Sequence, residues 1–272
     1  MLLFYNLVLL NNYMFMNKIY NAAFLFCLIS FSVSAQKPDG KAADTSFTGQ
    51  KSALIARGFR PYIIPSAMVG YGALSLFVPP LKNLDHSIQH QIVTSNPNFS
   101  THADDYLWMA PTAALYGLNL IGVEGKHNFR DRTLIVLLSN GIMEASSQII
   151  KRTVREQRPD GGDYESFPSG HTASAFTAAE YLYQEYKDVS PWIGYGGYAV
   201  AASVGVLRLY NNQHYLGDVI AGAGLGIIST KLAYTVYPFV ARHLFKNYSY
   251  KTVALPTYTQ GYPGFALVHH FN

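Results

Sequence analysis

Residues 155–171 read REQRPDGGDYESFPSGH, and this stretch separates two long apolar runs at 132–150 and 171–185. Each run spans several helical turns, whereas the stretch between them is rich in Pro, Gly and Asp, which favour turns. Further apolar runs of helical length lie at 62–80, 107–123, 191–209 and 216–240. The sequence therefore predicts an all-α fold, a bundle of about six helices.

The N-terminal residues have the composition of an export signal. Residues 1–35 contain an apolar stretch that follows Lys18 and ends in the small residues 33–35, Val-Ser-Ala. Because residues 1–15 carry no positive charge, we expect translation to start at Met16. The pattern predicts a cleaved signal peptide and an exported, cell-envelope protein.

The rest of the chain divides by composition into three parts. Residues 36–55 are small and polar, which predicts a flexible lead-in, and residues 56–245 would form the all-α domain. The tail, residues 246–272, has β-forming residues on both sides of the Gly-Tyr-Pro-Gly sequence at 261–264. A β-hairpin or an irregular tail is expected there.

The composition excludes several classes of function. The 272 residues carry a net charge of +4 without a dense Lys/Arg stripe, so no nucleic-acid partner is predicted. The only cysteine, Cys27, lies in the predicted signal, which excludes disulfide and thiol chemistry in the mature chain. Hydrophobic residues make up 49% and charged residues 13%, which predicts helices with large apolar faces. The 21 Tyr and 16 Phe residues suit a protein that meets a bilayer interface or packs wide helices. Glu144 and Glu180 interrupt two apolar runs, so a soluble periplasmic bundle stays open as an alternative.

Three clusters of chemically active residues lie at helix ends. In the first, Lys151, Arg155 and Arg158 can share one helical face before Pro159 ends the helix. A solvated basic helix end is the simpler interpretation of this cluster taken alone.

The second cluster is SFPSGH at 166–171, where Ser169, Gly170 and His171 would open a helix whose exposed amides can bind an anion. The alternative is that Ser169 is only an N-cap residue, an interpretation that explains the serine but not His171. The third cluster holds Arg208, His214 and Asp218. The four-residue spacing lets Asp218 orient His214 as a nucleophile, although such pairs are also common as surface hydrogen bonds.

In an up-and-down bundle all three clusters would meet at one end. The order Lys151-x6-Arg158-Pro159, Pro168-Ser169-Gly170-His171 and Arg208-x5-His214-x3-Asp218 resembles the three-part signature of the type 2 phosphatidic acid phosphatase superfamily. That superfamily also contains bacterial non-specific acid phosphatases and vanadium haloperoxidases. The resemblance covers about residues 110–240. Leu207 departs from it, because many members have Ser or Gly before the arginine.

The resemblance implies a role for each matched residue. His214 would attack phosphorus and form a phosphohistidine, Asp218 would orient it, and His171 would protonate the leaving oxygen. The phosphoryl oxygens would be held by Lys151, Arg158, Ser169, Gly170 and Arg208. No metal and no cofactor are expected, and the chain has neither an HExxH motif nor a P-loop. Arg155 matches no family position and is a candidate headgroup contact.

Other candidate residues have simpler interpretations. His86 and His90 are four residues apart but lack a third ligand, so a structural role is expected. Gly222 and Gly226 predict a close helix contact. Asp104 and Asp105 are most simply the cap of the helix that follows.

The function predicted from these residues is hydrolysis of a phosphomonoester or diphosphate, with a membrane lipid as the expected substrate. Phosphatidic acid, phosphatidylglycerophosphate, an isoprenyl diphosphate and lipid A are the candidates. Two alternatives stay open: a soluble periplasmic acid phosphatase acting on small phosphate esters, and a non-enzymatic envelope protein that retains a relic site. If the proline-bracketed segment 62–80 does not cross the membrane, a cleaved signal places the site on the periplasmic side.

Overall fold

A computed structural model describes the backbone of residues 47–245, 252–259 and 262–269, and the side chains of residues 59–245. Within these ranges the chain forms eight helices and one two-stranded sheet, so the predicted all-α bundle is confirmed. The helices are α1 (Phe47–Ser75), α2 (Pro79–Ser95), α3 (Asp104–Leu107), α4 (Ala110–Leu120), α5 (Phe129–Val154), α6 (Gly170–Tyr186), α7 (Pro191–Tyr210) and α8 (Leu216–Leu244). The strands are β1 (Thr252–Thr259) and β2 (Tyr262–His269). The chain divides into two compact units between Tyr234 and Thr235.

The first helix begins earlier than the sequence pattern predicted. Helix α1 starts at Phe47, so the second half of the predicted flexible lead-in is helical. The segment 50–56 reads QKSALIA, and most of these residues are good helix formers, which the polar composition obscured. The helix continues through Pro61 and Pro65, which the pattern had placed at its beginning.

The polar segment between the first two predicted helices accounts for two further helices. Helix α2 begins with a Pro-Pro pair at positions 79 and 80, where the missing backbone donors cost nothing because a first helical turn leaves them unpaired. Helix α3 is a single turn that precedes α4.

Two helices are long and apolar enough to cross a membrane. Helices α5 and α8 have mean hydropathies of 1.3 and 1.5 over their most apolar 18 residues. Residues 59–75 of α1 together with α2 pass the same test, but the two helices meet at a bend of 91°, as in a broken span or a re-entrant loop. The described residues thus contain two candidate spans, or three if the bent pair is one span.

Helices α6 and α7 make an extensive contact built on small side chains. Ala175 and Ala179 of α6 pack against Ala201 and Val204 of α7, and all four are fully buried. Small residues let helix backbones approach closely. The contact therefore places the start of α6 beside the end of α7, where two of the three clusters lie.

Glycines on α8 bring that helix against α6, as the sequence predicted. A Cβ on Gly222 would lie 2.6 Å from the Ser169 carbonyl oxygen, and one on Gly226 would lie 2.4 Å from the Ala173 carbonyl oxygen. Both distances are shorter than any side chain tolerates, and the neighbouring atoms are backbone that cannot easily move. Helix α8 is thereby held within contact distance of the first turn of α6.

The C-terminal strands form an antiparallel hairpin in which Thr252 pairs with His269 and Thr259 pairs with Tyr262. A hairpin was one of the two predicted forms of the tail. Pro263 and Gly264 belong to β2, so the predicted Gly-Tyr-Pro-Gly turn was displaced by about two residues. The β-forming residues beside the turn extend the ladder up to Tyr262.

Replacing Gly226 with alanine is expected to destabilise the first unit by about 1–3 kcal/mol, because the added methyl overpacks the α6–α8 contact. Thermal unfolding of the detergent-solubilised protein measures the effect. The matched control is Gly196→Ala on the exposed face of α7, where nothing lies within 4 Å of the new methyl group. An alanine there should be neutral or stabilising by about 0.5–1 kcal/mol. Equal unfolding temperatures for the two variants would contradict the packing argument.

Candidate active site

A buried carboxylate, that of Asp218 in the first turn of α8, connects the second and third clusters. Its Oδ2 accepts hydrogen bonds from Ser166 Oγ at 2.6 Å and from the Tyr215 backbone N–H at 2.9 Å. The Asp218 backbone carbonyl accepts from the Ser169 N–H at 3.1 Å. These bonds connect the start of α8 to the loop before α6, which holds Ser166 and Ser169.

The imidazole of His214 is fully buried beside this carboxylate. Its Nδ1 lies 3.6 Å from Asp218 Oδ2 and 3.5 Å from Ser166 Oγ, so the carboxylate and the serine hydroxyl both flank this nitrogen. Burial lowers the pKa of His214 to about 4, and the Asp218 carboxylate opposes this shift. The imidazole is therefore neutral near pH 7, and Nε2 is the nitrogen remote from Asp218.

A second acid, Glu156, lies against Asp218. Burial raises the pKa of Glu156 to about 9, and the negative charge of Asp218 contributes to the same shift. At neutral pH Glu156 is therefore a neutral carboxylic acid that can donate a hydrogen bond to Asp218. Its backbone carbonyl accepts from the Ser166 N–H at 3.0 Å, which fixes the loop at this point.

The guanidinium of Arg158 is held in the loop after α5. Its Nε donates to Asp163 Oδ1 at 2.7 Å, and its Nη1 donates to Gln213 Oε1 at 2.9 Å. Arg208 Nη2 lies 3.4 Å from the same amide oxygen. The Gln213 amide nitrogen donates to Asp160 at 2.9 Å. One amide thus connects both arginines of the predicted phosphate site.

Arg208 is buried near the end of α7 and is paired with α3. Its Nη1 donates to Asp104 Oδ2 at 2.6 Å, and the other Asp104 oxygen accepts from Asn211 Nδ2 at 2.9 Å. The Nε of Arg208 is buried and has no hydrogen-bond partner among the described residues. A buried unpaired N–H is costly, and a bound anion would satisfy it.

His171 lies in the first turn of α6 and faces Asp105 across the site. Its Nε2 is 3.2 Å from Asp105 Oδ1. Burial lowers the pKa of His171, Arg208 lowers it further, and Asp105 and Asp104 oppose both. The interpretation of these two aspartates as helix caps was wrong: no side chain caps α3 or α4, and the carboxylates contact Arg208 and His171 instead.

The remaining predicted phosphate ligands lie at the two ends of the loop that connects α5 to α6. Lys151 is buried in the last turn of α5, and its Nζ donates to the Glu165 carbonyl oxygen. Ser169 occupies the N-cap position of α6 without capping it, and its Oγ lies 2.9 Å from Thr172 Oγ1. Apart from the adjacent residues and the backbone of its own helix, no atom lies within 4 Å of where a Gly170 side chain would begin.

The shared helical face predicted for the first cluster was wrong. Helix α5 ends at Val154, and Arg155 follows in a left-handed conformation with a φ of 53°. Lys151 therefore belongs to the helix, whereas Arg158 reaches the site from the loop. Arg155 is exposed, and no described side chain pairs with it in an ion pair.

The described residues contain no group of three His, Cys, Asp or Glu side chains that could hold a metal. His86 packs its ring against Tyr215, with the ring centroids 4.7 Å apart, and His90 is exposed on α2. His86 thus has a packing contact, as expected for a structural residue.

Sequence reasoning missed five residues of the site: Asp104, Asp105, Glu156, Ser166 and Gln213. Adjacent aspartates before an apolar run have the pattern of a helix start, and Glu156 lies in a charged stretch that resembles a solvated loop. Ser166 begins the second predicted cluster but was assigned no role, and Gln213 directly precedes the predicted site residue His214. That proximity in sequence was the only local signal for them.

The second half of the chain is similar to a known protein family. Residues 132–242 match the family model of the PAP2 superfamily. This segment of the chain is of the PAP2 type. The matched residues begin in α5 and end in α8, so they contain all three clusters. The predicted resemblance is therefore confirmed at the level of the superfamily.

Individual proteins similar to this chain include a curated protein and two solved structures. The lipid A 1-phosphatase of Porphyromonas gingivalis is 32% identical over 174 residues, which are 62% of this chain and 38% of that protein. The chain thus spans about two fifths of the length of that relative.

The solved structures are a transmembrane PAP2-type phosphatidylglycerolphosphate phosphatase from Bacillus subtilis and LpxE from Aquifex aeolicus. The first is 20% identical with a TM-score of 0.48, and the match covers 68% of this chain and 98% of that one. The second is 21% identical with a TM-score of 0.41, and the match covers 54% of this chain and 93% of that one.

Proposed function

We propose that this PAP2 chain is a phosphatase that hydrolyses a phosphomonoester or diphosphate of a membrane lipid. The observation that carries the proposal is the buried imidazole of His214, which Asp218 and Ser166 flank at Nδ1 while Arg158 and Arg208 lie near enough to affect its pKa. A neutral imidazole beside two fixed guanidinium groups has the parts that phosphoryl transfer requires, because catalysis of that reaction is mostly positioning and charge stabilisation.

In the proposed reaction Nε2 of His214 attacks phosphorus, and the bond between phosphorus and the leaving oxygen breaks. The leaving oxygen is the lipid oxygen of a phosphomonoester or the bridging oxygen of a diphosphate. The departing oxygen keeps the bonding electron pair and takes a proton from His171. Water then attacks the phosphohistidine, gives its proton to His171 and releases inorganic phosphate with regeneration of His214. Lys151, Arg158 and Arg208 would hold the phosphoryl oxygens, with Ser169 and the Gly170 backbone. The chain itself supplies these charges, so the mechanism requires no metal and no cofactor.

Two observations support a lipid as the substrate. The catalytic cluster lies at the ends of α5 and α8, which are the two candidate membrane spans. A curated relative, 32% identical over its matched part, is a lipid A 1-phosphatase. Lipid A is therefore one substrate to test, beside phosphatidic acid, phosphatidylglycerophosphate and an isoprenyl diphosphate.

The purified protein is expected to release inorganic phosphate from one of these lipids in mixed micelles that contain EDTA. His214→Ala should reduce release to the background rate, and His171→Ala should slow it about 10²–10⁴-fold, as for loss of a general acid. His90→Ala, an exposed histidine on α2, is the matched control. Unchanged phosphate release by His214→Ala would contradict the mechanism, and preference for a soluble aryl phosphate would favour the acid-phosphatase alternative.

The pH profile of kcat/KM is expected to be bell-shaped with an acidic optimum. The nucleophile acts when His214 is neutral, so activity should rise as the pH passes about 4. The acid acts when His171 is protonated, and burial and Arg208 lower the pKa of His171 below its ordinary value of 6.5. Activity should therefore fall before neutral pH is reached. A profile that rises up to pH 8 would contradict these roles.

We further propose that the chain is exported and that the site faces the periplasm. A cysteine-free background, Cys27→Ser, allows a test with a thiol reagent that does not cross membranes. A cysteine at exposed Tyr164, beside the site, should react in intact cells treated to permeabilise only the outer membrane. A cysteine at exposed Asp188, beyond the other end of α6, should be protected. The reverse pattern would place the site in the cytoplasm.

A further inference from the structure

Helix α3 presents two consecutive carboxylates to two different groups of the site. Asp104 pairs with Arg208, which is a proposed phosphate ligand. Asp105 places Oδ1 3.2 Å from His171 Nε2 and 4.0 Å from Arg208 Nη1, and its Oδ2 lies 3.2 Å from His102 Nδ1. The mechanism above uses His171 and Arg208 and assigns no task to Asp105.

The position of Asp105 is set by contacts that do not involve its own side chain. The Thr101 N–H donates to Asn211 Oδ1 at 3.0 Å, and Asn211 Nδ2 donates to the Thr101 carbonyl oxygen and to Asp104 Oδ1, both at 2.9 Å. The segment that carries Asp105 is therefore anchored to the end of α7. A carboxylate on such an anchored turn can orient the imidazole that it faces.

The charges around His171 indicate what the contact with Asp105 does chemically. Burial and the Arg208 guanidinium both disfavour the imidazolium that a general acid must be before it reacts. The groups that oppose them are Asp105 and Asp104, and of these Asp105 faces the ring directly. Asp104 is occupied by Arg208 and Asn211.

We propose that Asp105 is the positioning residue for His171, orienting its imidazole through Nε2 and stabilising its cationic form. The proposal rests on the proposed phosphatase function. With the Nε2 proton bonded to Asp105, the proton transferred to the leaving oxygen comes from Nδ1. As the bond between phosphorus and oxygen breaks, the oxygen keeps the electron pair and gains that proton. His171 is left neutral, with its remaining proton on Nε2 facing Asp105.

The test compares Asp105→Asn with the conservative variant Asp105→Glu in the full-length protein. Phosphate release is measured on a lipid phosphomonoester, whose alkoxide must be protonated to leave, and on a nitrophenyl phosphate, whose phenolate leaves without a proton. Asp105→Asn should slow lipid hydrolysis about 10–100-fold and change nitrophenyl phosphate hydrolysis less than about threefold, because general acid catalysis acts only on the poor leaving group. Asp105→Glu should recover most of the lost rate. Asp188→Asn, at the other end of α6, is the matched control.

A second measurement follows His171 itself and does not depend on turnover. With ¹³C-labelled histidine and His171→Gln to assign the signal, NMR titration should show the pKa of His171 falling by about one unit or more in Asp105→Asn. Unchanged titration, or equal slowing of both substrates, would overturn the proposal. Tighter binding of inorganic phosphate by Asp105→Asn without a leaving-group effect would also overturn it, since Asp105 would then compete with phosphate for Arg208. If the wild-type protein hydrolyses no ester while the NMR shift is present, the pairing stands and the proposed function fails.

Discussion

Compensation of the buried Asp218 charge is the constraint on which the site depends. A carboxylate removed from water is tolerated only when hydrogen bonds or opposite charges replace its hydration. The Asp218 carboxylate accepts hydrogen bonds from Ser166 Oγ and the Tyr215 N–H. It also lies against the His214 imidazole and the Glu156 carboxyl group. These partners come from the loop before α6, from the turn before α8 and from the residues just after α5. Satisfying one charge therefore brings three parts of the chain together.

Close backbone packing makes this convergence possible. The face of α8 that carries Gly222 and Gly226 approaches the carbonyl oxygens of the first turns of α6 to distances that exclude any side chain. Gly217 at the start of α8 is similarly close to Asp85 of α2, whose carboxylate accepts the Gly217 N–H at 3.1 Å. The beginning of α8 is thus fixed from two sides. The positions of His214 and Asp218, which flank that point, are therefore fixed as well.

The cations of the site are held in place before any substrate binds. Arg208 is fixed by Asp104, Arg158 by Asp163 and Gln213, and Lys151 by the Glu165 carbonyl group. Charges that are already oriented need little reorganisation when negative charge develops on phosphoryl oxygens. The loop of residues 155–169 supplies two of these four partners, Asp163 and Glu165. It therefore holds the Arg158 and Lys151 side chains in position as well as connecting two helices.

The sequence alone determined the helical pattern, the order of the three clusters and the chemical types they contain, because helix periodicity and i,i+4 spacing are local properties. It also predicted the close approach at Gly222 and Gly226, since small residues four apart mark one face of a helix. Only the tertiary structure decided which neighbours complete the site. Asp104 and Arg208 are 104 positions apart, and Ser166 and Asp218 are 52 apart, so no local spacing relates them. Their contacts follow from how α3, α6, α7 and α8 pack, and that packing also brings Asp105 to His171.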